Sequence, residues 1–328
     1  MKSSDNSANT PLVSVIVTAY NHAEFIEECL RSILMQRVSF SYEVLVGEDC
    51  SSDGTADVIR RLRPEFPEYF NFIIREQNLG AVKNGEDLYS RARGKYLAVL
   101  EGDDFWISPE KLQDQVDYLE DHPDYSAVYT QCVVVDERSE PNGEVYPQCP
   151  FEDYSFKEYF YSRLPGQTGT CVFLRERYLQ SRHEFSEVAE YGFYPGDRRN
   201  AFINLLDGKV RCMQKECSAY RHVVKRGSSS YSATVEVDDA YARNEILFGK
   251  ALVSYAKRRC NADAIDTAER TYYRFCLKWA LDGRSSVSLF SVLNELLREP
   301  RRFRYLLAPI QWYIVLGFRK LRGIAVDL

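Results

Sequence analysis

Short apolar runs alternate with amphipathic segments over the first hundred residues. Residues 12–17, 42–46, 72–74 and 96–100 are rich in aliphatic and aromatic side chains, which is typical of buried strands. Within residues 25–34, apolar side chains recur at helical spacing instead. Strands that alternate with helices at this spacing predict a parallel, Rossmann-like α/β sheet.

Cap and turn residues suggest where the first helices begin. Asn21 is followed three residues later by Glu24, which predicts a capping box at the start of the first helix. Ser108 and Pro109 predict the start of a later helix, which should end before Pro123.

The pattern of apolar and polar residues changes in the second half of the chain. Residues 126–135 and 170–174 predict two further strands, whereas 137–168 are irregular and predict loops around a cleft. A helix is expected to begin near Asp197. From residue 235 onward apolar residues follow helical spacing, which predicts a C-terminal helical extension over 235–328.

The end of this extension, residues 298–323, combines arginines and lysines with an apolar, aromatic run. The run is too short to span a bilayer, but it suits an interfacial helix on an anionic leaflet. A helix docked on the protein core with a solvated basic flank explains the same pattern. Peripheral membrane contact therefore stays one of two interpretations.

Composition narrows the class of protein. The 328 residues carry a net charge of -6, which argues against a nucleic-acid partner. Nine cysteines without a Cys-x-x-Cys pair indicate reduced thiols. Residues 1–10 form a polar, flexible tail without the apolar core of a signal peptide. We expect a cytoplasmic protein, associated with the inner face of the plasma membrane if residues 298–323 bind lipid.

The most informative motif is residues 100–106, which place the carboxylates of Glu101, Asp103 and Asp104 directly after a predicted strand. In open α/β sheets, ligands bind outside the C-terminal edge of the strands. Carboxylates this close repel one another unless a cation or hydrogen bonds hold them. Mg²⁺ or Mn²⁺ would take these oxygen ligands and bridge them to substrate phosphates. Alone, the motif would be a charged surface turn.

Several segments, taken in order, resemble the family 2 glycosyltransferases with a GT-A fold, of the bacterial polysaccharide-biosynthesis type. They are residues 13–21, 48–55, 78–80, 83–84, 92–96 and 100–106. The resemblance covers roughly residues 11–230. It implies a mostly parallel central sheet flanked by helices, with a nucleotide-sugar-binding half over 11–106 and an acceptor-binding half over 107–234.

The resemblance also implies a nucleotide site. Tyr20 would stack on a pyrimidine, and Asp49 would accept the imino N–H of uracil. The expected donor therefore carries uridine or thymidine, with a UDP-sugar as the first choice. Asp53 is interpreted as a turn residue, and Lys83 is either a diphosphate contact or a surface lysine. The implied nucleotide-binding residues are Thr18, Ala19, Tyr20, Asn21, Asp49, Lys83, Glu101, Gly102 and Asp103.

Asp103 and Asp104 match the metal-binding acidic motif of the family, with Glu101 in its first position, and His222 is a further candidate ligand. Gly102 would let the backbone approach the phosphates. Asp197 matches the position of the family's catalytic base, although an ordinary helix N-cap would look the same.

A basic segment near the end of the resemblance, residues 218–230, is similar to a mobile segment that closes over the diphosphate. Arg221, Lys225 and Arg226 would then neutralise phosphate charge. A solvated basic loop is the competing interpretation.

These inferences predict an inverting, metal-assisted glycosyltransferase that moves a sugar from a nucleotide-diphosphate donor to a hydroxyl of a glycan or lipid-linked acceptor. Asp197 would be its general base. A nucleotidyltransferase would carry a Gly-rich, basic loop after the first strand, where this chain has residues 18–21 (Thr-Ala-Tyr-Asn). A non-catalytic nucleotide-sugar or glycan-binding module is the other alternative.

Overall fold

The computed structural model describes residues 10–189, 196–223 and 236–321, with side chains described up to residue 314. The chain folds into two compact units. The first unit consists of Met1–Glu152, Pro165–Leu179 and Lys209–Thr234, and the second of Asp153–Leu164, Gln180–Gly208 and Val235–Leu328. The predicted 235–328 extension therefore lies in one unit with two segments that the sequence analysis had assigned to 107–234.

The first unit is built on a mixed sheet. The strands of the described residues are β1 (Val13–Ala19), β2 (Tyr42–Glu48), β3 (Phe70–Ile74), β4 (Tyr96–Glu101), β5 (Phe105–Trp106), β6 (Tyr125–Val135), β7 (Asp153–Tyr154), β8 (Val172–Leu174) and β9 (Lys209–Arg221). Eight of them follow the order β3-β2-β1-β4-β8-β6-β9-β5. β1, β2, β3 and β4 pair in parallel, as do β6 and β9, whereas β8 and β5 are antiparallel to their neighbours.

Helices flank this sheet and make up most of the second unit. The helices of the described residues are α1 (Ile26–Leu34), α2 (Thr55–Leu62), α3 (Ala81–Arg91), α4 (Lys111–Asp121), α5 (Phe156–Phe160), α6 (Arg175–Val188), α7 (Gly196–Asp207), α8 (Asp239–Arg258), α9 (Ala262–Leu281), α10 (Leu289–Arg298) and α11 (Arg302–Leu321). The predicted α/β class with C-terminal helices is confirmed.

The register of β1 positions the ligand edge of the sheet. Thr18 lies opposite Gly47 of β2 and opposite Glu101 of β4, so the three strands end together. Val15 and Val17 are fully buried, because central parallel strands are covered on both faces. The loops that follow β1, β2 and β4 therefore emerge side by side.

In the second unit the aromatic stripes of α8 and α9 are packing surface. Phe248, Tyr255 and Trp279 are fully buried. Val292 of α10 and Tyr305 of α11 join a separate buried cluster with residues of α9. Burying large aromatic side chains is a main source of stability in helical assemblies.

Two predicted helix starts are wrong. Asn21 does not cap α1, which begins at Ile26. Asn21 has a φ of 58°, and its Oδ1 accepts a hydrogen bond from the backbone N–H of Ser52 at 3.0 Å. Pro109 precedes α4, which begins at Lys111. Asn21 bonds the loop after β2 instead of capping a helix, and the Pro109 carbonyl oxygen accepts a hydrogen bond from the backbone N–H of Arg37.

Candidate active site

The acidic cluster lies where β4 ends. Carboxylate oxygens of Glu101, Asp103 and Asp104 all come within 4.8 Å of one another. Glu101 is exposed, Asp103 is partly buried and Asp104 is 2% exposed. The sequence prediction that these carboxylates converge thus agrees with the geometry, and Glu101 lies among them.

Asp104 is fixed by groups from distant parts of the chain. Its Oδ2 accepts a hydrogen bond from Gln167 Nε2 at 2.9 Å, and its Oδ1 accepts one from the backbone N–H of Arg221 at 2.8 Å. Burial, followed by the negative charges of Asp103 and Glu101, raises the pKa of Asp104 well above its usual range. Burial and the neighbouring carboxylates thus both disfavour a negative charge on Asp104.

The buried thiol of Cys29 also lies close enough to the acidic cluster to be affected by its charges. Cys29 is fully buried under the cluster, and its Sγ lies 3.6 Å from the Glu101 carbonyl oxygen. Burial raises the pKa of the Cys29 thiol, and the charges of Asp104 and Asp103 raise it further. Three carboxylates this close together repel one another, and a hard divalent cation bound to their oxygens would offset this repulsion.

His22 is a site residue that the sequence analysis missed. Its Nε2 lies 3.7 Å from Asp103 Oδ2, and its Nδ1 is buried without a hydrogen-bond partner among the described residues. Nothing in the local sequence links His22 to an aspartate 81 positions away. The parallel pairing of β1 with β4 could have indicated it, because the residues after both strands share one edge.

Gly102 is required by protein packing. A Cβ at this position would lie 2.8 Å from His22 Nδ1 and 3.1 Å from both Ala19 Cβ and Ile26 Cδ1. Its backbone N–H donates to the Thr18 carbonyl oxygen at 2.9 Å. The predicted phosphate approach at Gly102 is untested, and the close contact with His22 is sufficient reason for a glycine.

The loop after β2 braces the loop after β1. Asp53 Oδ2 accepts a hydrogen bond from the backbone N–H of Ala23, and its Oδ1 accepts one from the backbone N–H of Thr55. Hydrogen bonds, including that of the Thr55 hydroxyl, outweigh burial and lower the pKa of Asp53. This agrees with the interpretation of Asp53 as a turn residue.

Asp49 lies in the same loop and is 2% exposed. Its two carboxylate oxygens accept hydrogen bonds from the backbone N–H groups of Leu79 and Gly80, at 2.8 and 2.9 Å. Asp49 thus holds the turn that precedes α3. A carboxylate oxygen has two acceptor sites, so this task leaves acceptor capacity on Asp49.

The other predicted nucleotide-binding residues surround this edge of the sheet. Thr18 and Ala19 end β1, and Ala19 is 1% exposed. Tyr20 follows and is 42% exposed, so its ring is accessible. Asn21 bonds the neighbouring loop, and Lys83 is an exposed residue in the first turn of α3.

Arg221 has a different task from the one predicted for it. It ends strand β9 and is 2% exposed, so it does not belong to a mobile loop. Its guanidinium donates to the carbonyl oxygens of Asp103 and Asp136 at 2.8 Å, and to Glu28 Oε2 at 2.7 Å. It also lies 4.3 Å from the ring centroid of Phe25. Protein groups therefore occupy four of its five N–H donors, and its predicted contact with a diphosphate stays a prediction.

Arg221→Met is expected to lower the free energy of unfolding by about 3 kcal/mol, because it leaves buried acceptors without their donor. Urea unfolding of the variant measures this change. Arg138→Met, at an exposed arginine of the same unit, is the control and should change stability by less than about 0.5 kcal/mol. Equal stabilities of the two variants would contradict a bracing role for Arg221.

His222 lies one residue beyond β9. Its backbone N–H donates to the Val135 carbonyl oxygen at 2.9 Å, and its ring Nδ1 pairs with Glu144. The candidate metal cluster of the described residues contains Glu101, Asp103 and Asp104, and His222 is not a member. Ligation by His222 stays a prediction. The other predicted lid cations, Lys225 and Arg226, lie outside the described residues.

Asp197 belongs to the second unit, where it is the second residue of α7 and is partly buried. It therefore lies inside the first helical turn and is not the cap residue that the competing interpretation required. The predicted start of a helix near Asp197 is confirmed. Its predicted role as a base stays a prediction.

A mixed α/β sheet with a carboxylate cluster at the end of β4 is the arrangement expected from the resemblance to GT-A glycosyltransferases. A model of glycosyl transferase family 2 matches residues 14–182, more than half of the 328 residues, so the chain belongs to this family. The resemblance to family 2 glycosyltransferases that was drawn from the motifs is confirmed.

Relatives and solved structures agree with this assignment. The uncharacterized protein Rv1520 of Mycobacterium tuberculosis is 35% identical over 164 residues, which cover 50% of this chain and 47% of that protein. The putative teichuronic acid biosynthesis glycosyltransferase TuaG of Bacillus subtilis is 35% identical over 109 residues, 33% of this chain and 42% of TuaG. The chain thus spans about half the length of the curated relatives it matches.

The crystal structure of S. aureus TarS 1-349 in complex with UDP-GlcNAc resembles this fold with a TM-score of 0.60. The match has 17% identity and covers 96% of this chain and 93% of that one. At this identity the likeness supports the fold alone.

Proposed function

We propose that this chain transfers a sugar from a UDP-sugar to a hydroxyl of a glycan or lipid-linked acceptor with inversion at the anomeric carbon. The observation that carries the proposal is the acidic cluster at the end of β4, directly beside the end of β1, within the part of the chain that matches family 2. Mg²⁺ or Mn²⁺ bound there would screen the charge of the departing nucleoside diphosphate.

The three carboxylates of the acidic cluster would contribute differently to binding the metal ion. Asp103 and Glu101 are the accessible carboxylates, so they would face the ion and the phosphates. Asp104 is buried and fixed by Gln167 and Arg221, so it would orient the cluster and add its charge from behind. A rigid set of ligands needs little reorganisation when a substrate binds.

The uridine preference rests on the two residues that would hold the base. The accessible ring of Tyr20 offers a stacking surface, and Asp49 retains acceptor capacity for an imino N–H. The complexes of S. aureus TarS with UDP-GlcNAc and with UDP support a uridine donor. The name of TuaG supports a polysaccharide acceptor.

UDP with Mn²⁺ is expected to raise the Tm of the protein by about 5 °C at a hundredfold the dissociation constant, because a ligand of the native state stabilises it by mass action. Thermal unfolding with UDP, GDP, CDP and TDP, each with and without Mn²⁺, measures the effect. Asp49→Asn should lose the preference for UDP and TDP. Equal rises with all four nucleotides would contradict base recognition, and no rise with any would favour a glycan-binding module.

The proposed acceptor side includes a lipid surface. Along α11 the outward residues are apolar at helical spacing: Phe303, Leu307, Ile310 and Ile314 are 71%, 48%, 53% and 53% exposed. Tyr305, Ala308 and Trp312, on the opposite face of the same helix, are buried. Four large apolar side chains exposed along one face of a packed helix indicate an interaction surface.

The neighbouring helix α10 adds to this surface. Phe290, Leu293 and Leu297 are exposed, whereas Val292 and Leu296 are buried. Exposed arginines flank the apolar residues at positions 298, 301, 302 and 304. No helix of the described residues is both long and apolar enough to cross a bilayer. We therefore propose that α10 and α11 lie on an anionic leaflet, at the inner face of the plasma membrane.

Replacing Phe303, Leu307 and Ile310 by serine is expected to weaken vesicle binding more than tenfold, because each large apolar side chain contributes about 1.5–3 kcal/mol on burial. Co-sedimentation with phosphatidylglycerol vesicles measures the binding. Leu281→Ser, at a leucine that is 73% exposed on α9, is the control and should bind like the parent protein. Unchanged binding of the triple variant would rule out this surface as the lipid contact.

A further inference from the structure

The second unit contains a small, partly enclosed cavity that is lined by two arginines. Arg198 of α7 and Arg274 of α9 meet there, together with Tyr159, Ser162 and Thr271. The atom-free space between these side chains is ≈ 230 Å³, part of which opens to solvent, and its inner part is narrow. It therefore has room for one particle about as large as a water molecule.

Of the two arginines at this cavity, Arg198 has a carboxylate partner, whereas Arg274 has none among the described residues. Glu245 is 6% exposed and accepts hydrogen bonds from Arg198 Nη1 at 3.2 Å, Lys278 Nζ at 3.2 Å and Trp279 Nε1 at 2.7 Å. One carboxylate thus serves two cations. Among the described residues, no carboxylate oxygen comes within 4.0 Å of Arg274, although that residue is only 5% exposed. Buried charges in proteins are normally paired.

The cavity is also rich in donors and poor in acceptors. Arg274 Nε, Tyr159 Oη and Thr271 Oγ1 are buried and have no hydrogen-bond partner within the described part of the chain. Ser162 Oγ accepts from Arg198 Nη2 at 3.3 Å and from Arg274 Nη1 at 3.4 Å, so its own proton is left to donate. A buried donor without an acceptor costs about 1–3 kcal/mol.

Aromatic side chains keep Arg274 away from solvent. Its guanidinium carbon lies 4.7 Å from the ring centroid of Trp312 and 5.0 Å from that of Phe275. Burial, together with the charge of Arg198, lowers the pKa of Arg274 to about 9. A water molecule in the cavity would accept hydrogen bonds but would bring no charge, whereas an anion would supply both.

We propose that Arg198 and Arg274 bind a chloride ion in this cavity, with the hydroxyl groups of Tyr159, Ser162 and Thr271 as further donors. The size of the cavity selects a monatomic anion over phosphate or a carboxylate. The ion compensates the second guanidinium and joins α5, α7 and α9 through one centre. The inference does not rest on the proposed function.

Bromide is the probe for the position of the ion. Crystals of the full chain grown or soaked in 100 mM sodium bromide should show an anomalous peak between Arg198 and Arg274. In solution, sodium chloride should raise the Tm above that in sodium gluconate of equal ionic strength. We expect a saturable difference of about 2–4 °C at tenfold the dissociation constant.

Two variants and a control link the Tm difference to the cavity. Thr271→Val removes one donor at nearly constant volume, and Arg274→Met removes the uncompensated charge. Both should lose most of the chloride-dependent rise. Arg243→Met, at an exposed arginine of α8 that pairs with Asp239, should keep it. Thr271→Val carries the test if Arg274→Met does not fold.

Two results would overturn the proposal. The first is a cavity without a bromide peak, combined with equal Tm values in chloride and gluconate. The second is a chloride-dependent rise that both cavity variants retain, because the ion would then bind elsewhere. A larger rise with acetate or phosphate than with chloride would overturn the assignment of a monatomic ion.

Discussion

Asp103→Asn is expected to lower the rate of UDP release from a UDP-sugar by about 10³-fold, equivalent to about 4 kcal/mol of lost transition-state stabilisation. Asp103 is the clearest position for this test. Its carboxylate is partly exposed, and the ring of His22 lies 3.7 Å away. The substitution thus removes a proposed ligand and little that holds the fold. Steady-state turnover and calorimetric Mn²⁺ binding are the measurements.

Two further variants are needed to interpret the result for Asp103→Asn. Glu101→Gln tests whether the longer side chain is also a ligand, which should show as a similar loss of Mn²⁺ affinity. Asp57→Asn, at an exposed aspartate of α2, is the control and should keep full activity. If Asp103→Asn keeps its Mn²⁺ affinity and more than a tenth of the parent activity, the cluster does not hold the metal.

The acidic cluster could be predicted from the sequence because its evidence is local. Glu101, Asp103 and Asp104 follow a continuous apolar run, and such a run ends at the ligand edge of a parallel sheet. The first four strands were predicted for the same reason, within two residues at most boundaries. Periodicity and strand composition are properties of a short window.

The residues that brace the cluster could not be predicted, because they depend on long-range register. Gln167 and Arg221 reach Asp104 from 63 and 117 residues away, and His22 reaches Asp103 through the pairing of β1 with β4. A single sequence carries no signal for such contacts.

Strand β9, which ends at Arg221, was not predicted from the sequence. Its middle contains the exposed residues Lys215 and Glu216, and the buried positions directly after them are the small residues Cys217, Ser218 and Ala219. The pairing with β6 also shifts register near Gln131. Small side chains and an irregular register remove the alternation of apolar and polar residues that marks a strand. The basic residues of 218–230 therefore indicated a loop instead.

The effect expected for Asp197→Asn differs in kind from that for Asp103→Asn. Transfer to the acceptor should fall by about 10³-fold, within the range of general-base catalysis. Binding of UDP and Mn²⁺ should stay unchanged, because the acidic cluster and the base-binding residues are intact. The loss should appear in kcat for transfer into a glycan or lipid fraction, and not in the nucleotide-induced rise in Tm.

Asp238→Asn is the matched control for this prediction. Asp238 lies in the same unit and caps α8 by accepting a hydrogen bond from the backbone N–H of Tyr241 at 2.8 Å. Asparagine caps helices about as well as aspartate, so the control should keep both stability and activity. If Asp197→Asn also keeps full transfer activity while it binds donor, Asp197 is not the base. Loss of donor binding in Asp197→Asn would instead assign it a role in assembling the donor site.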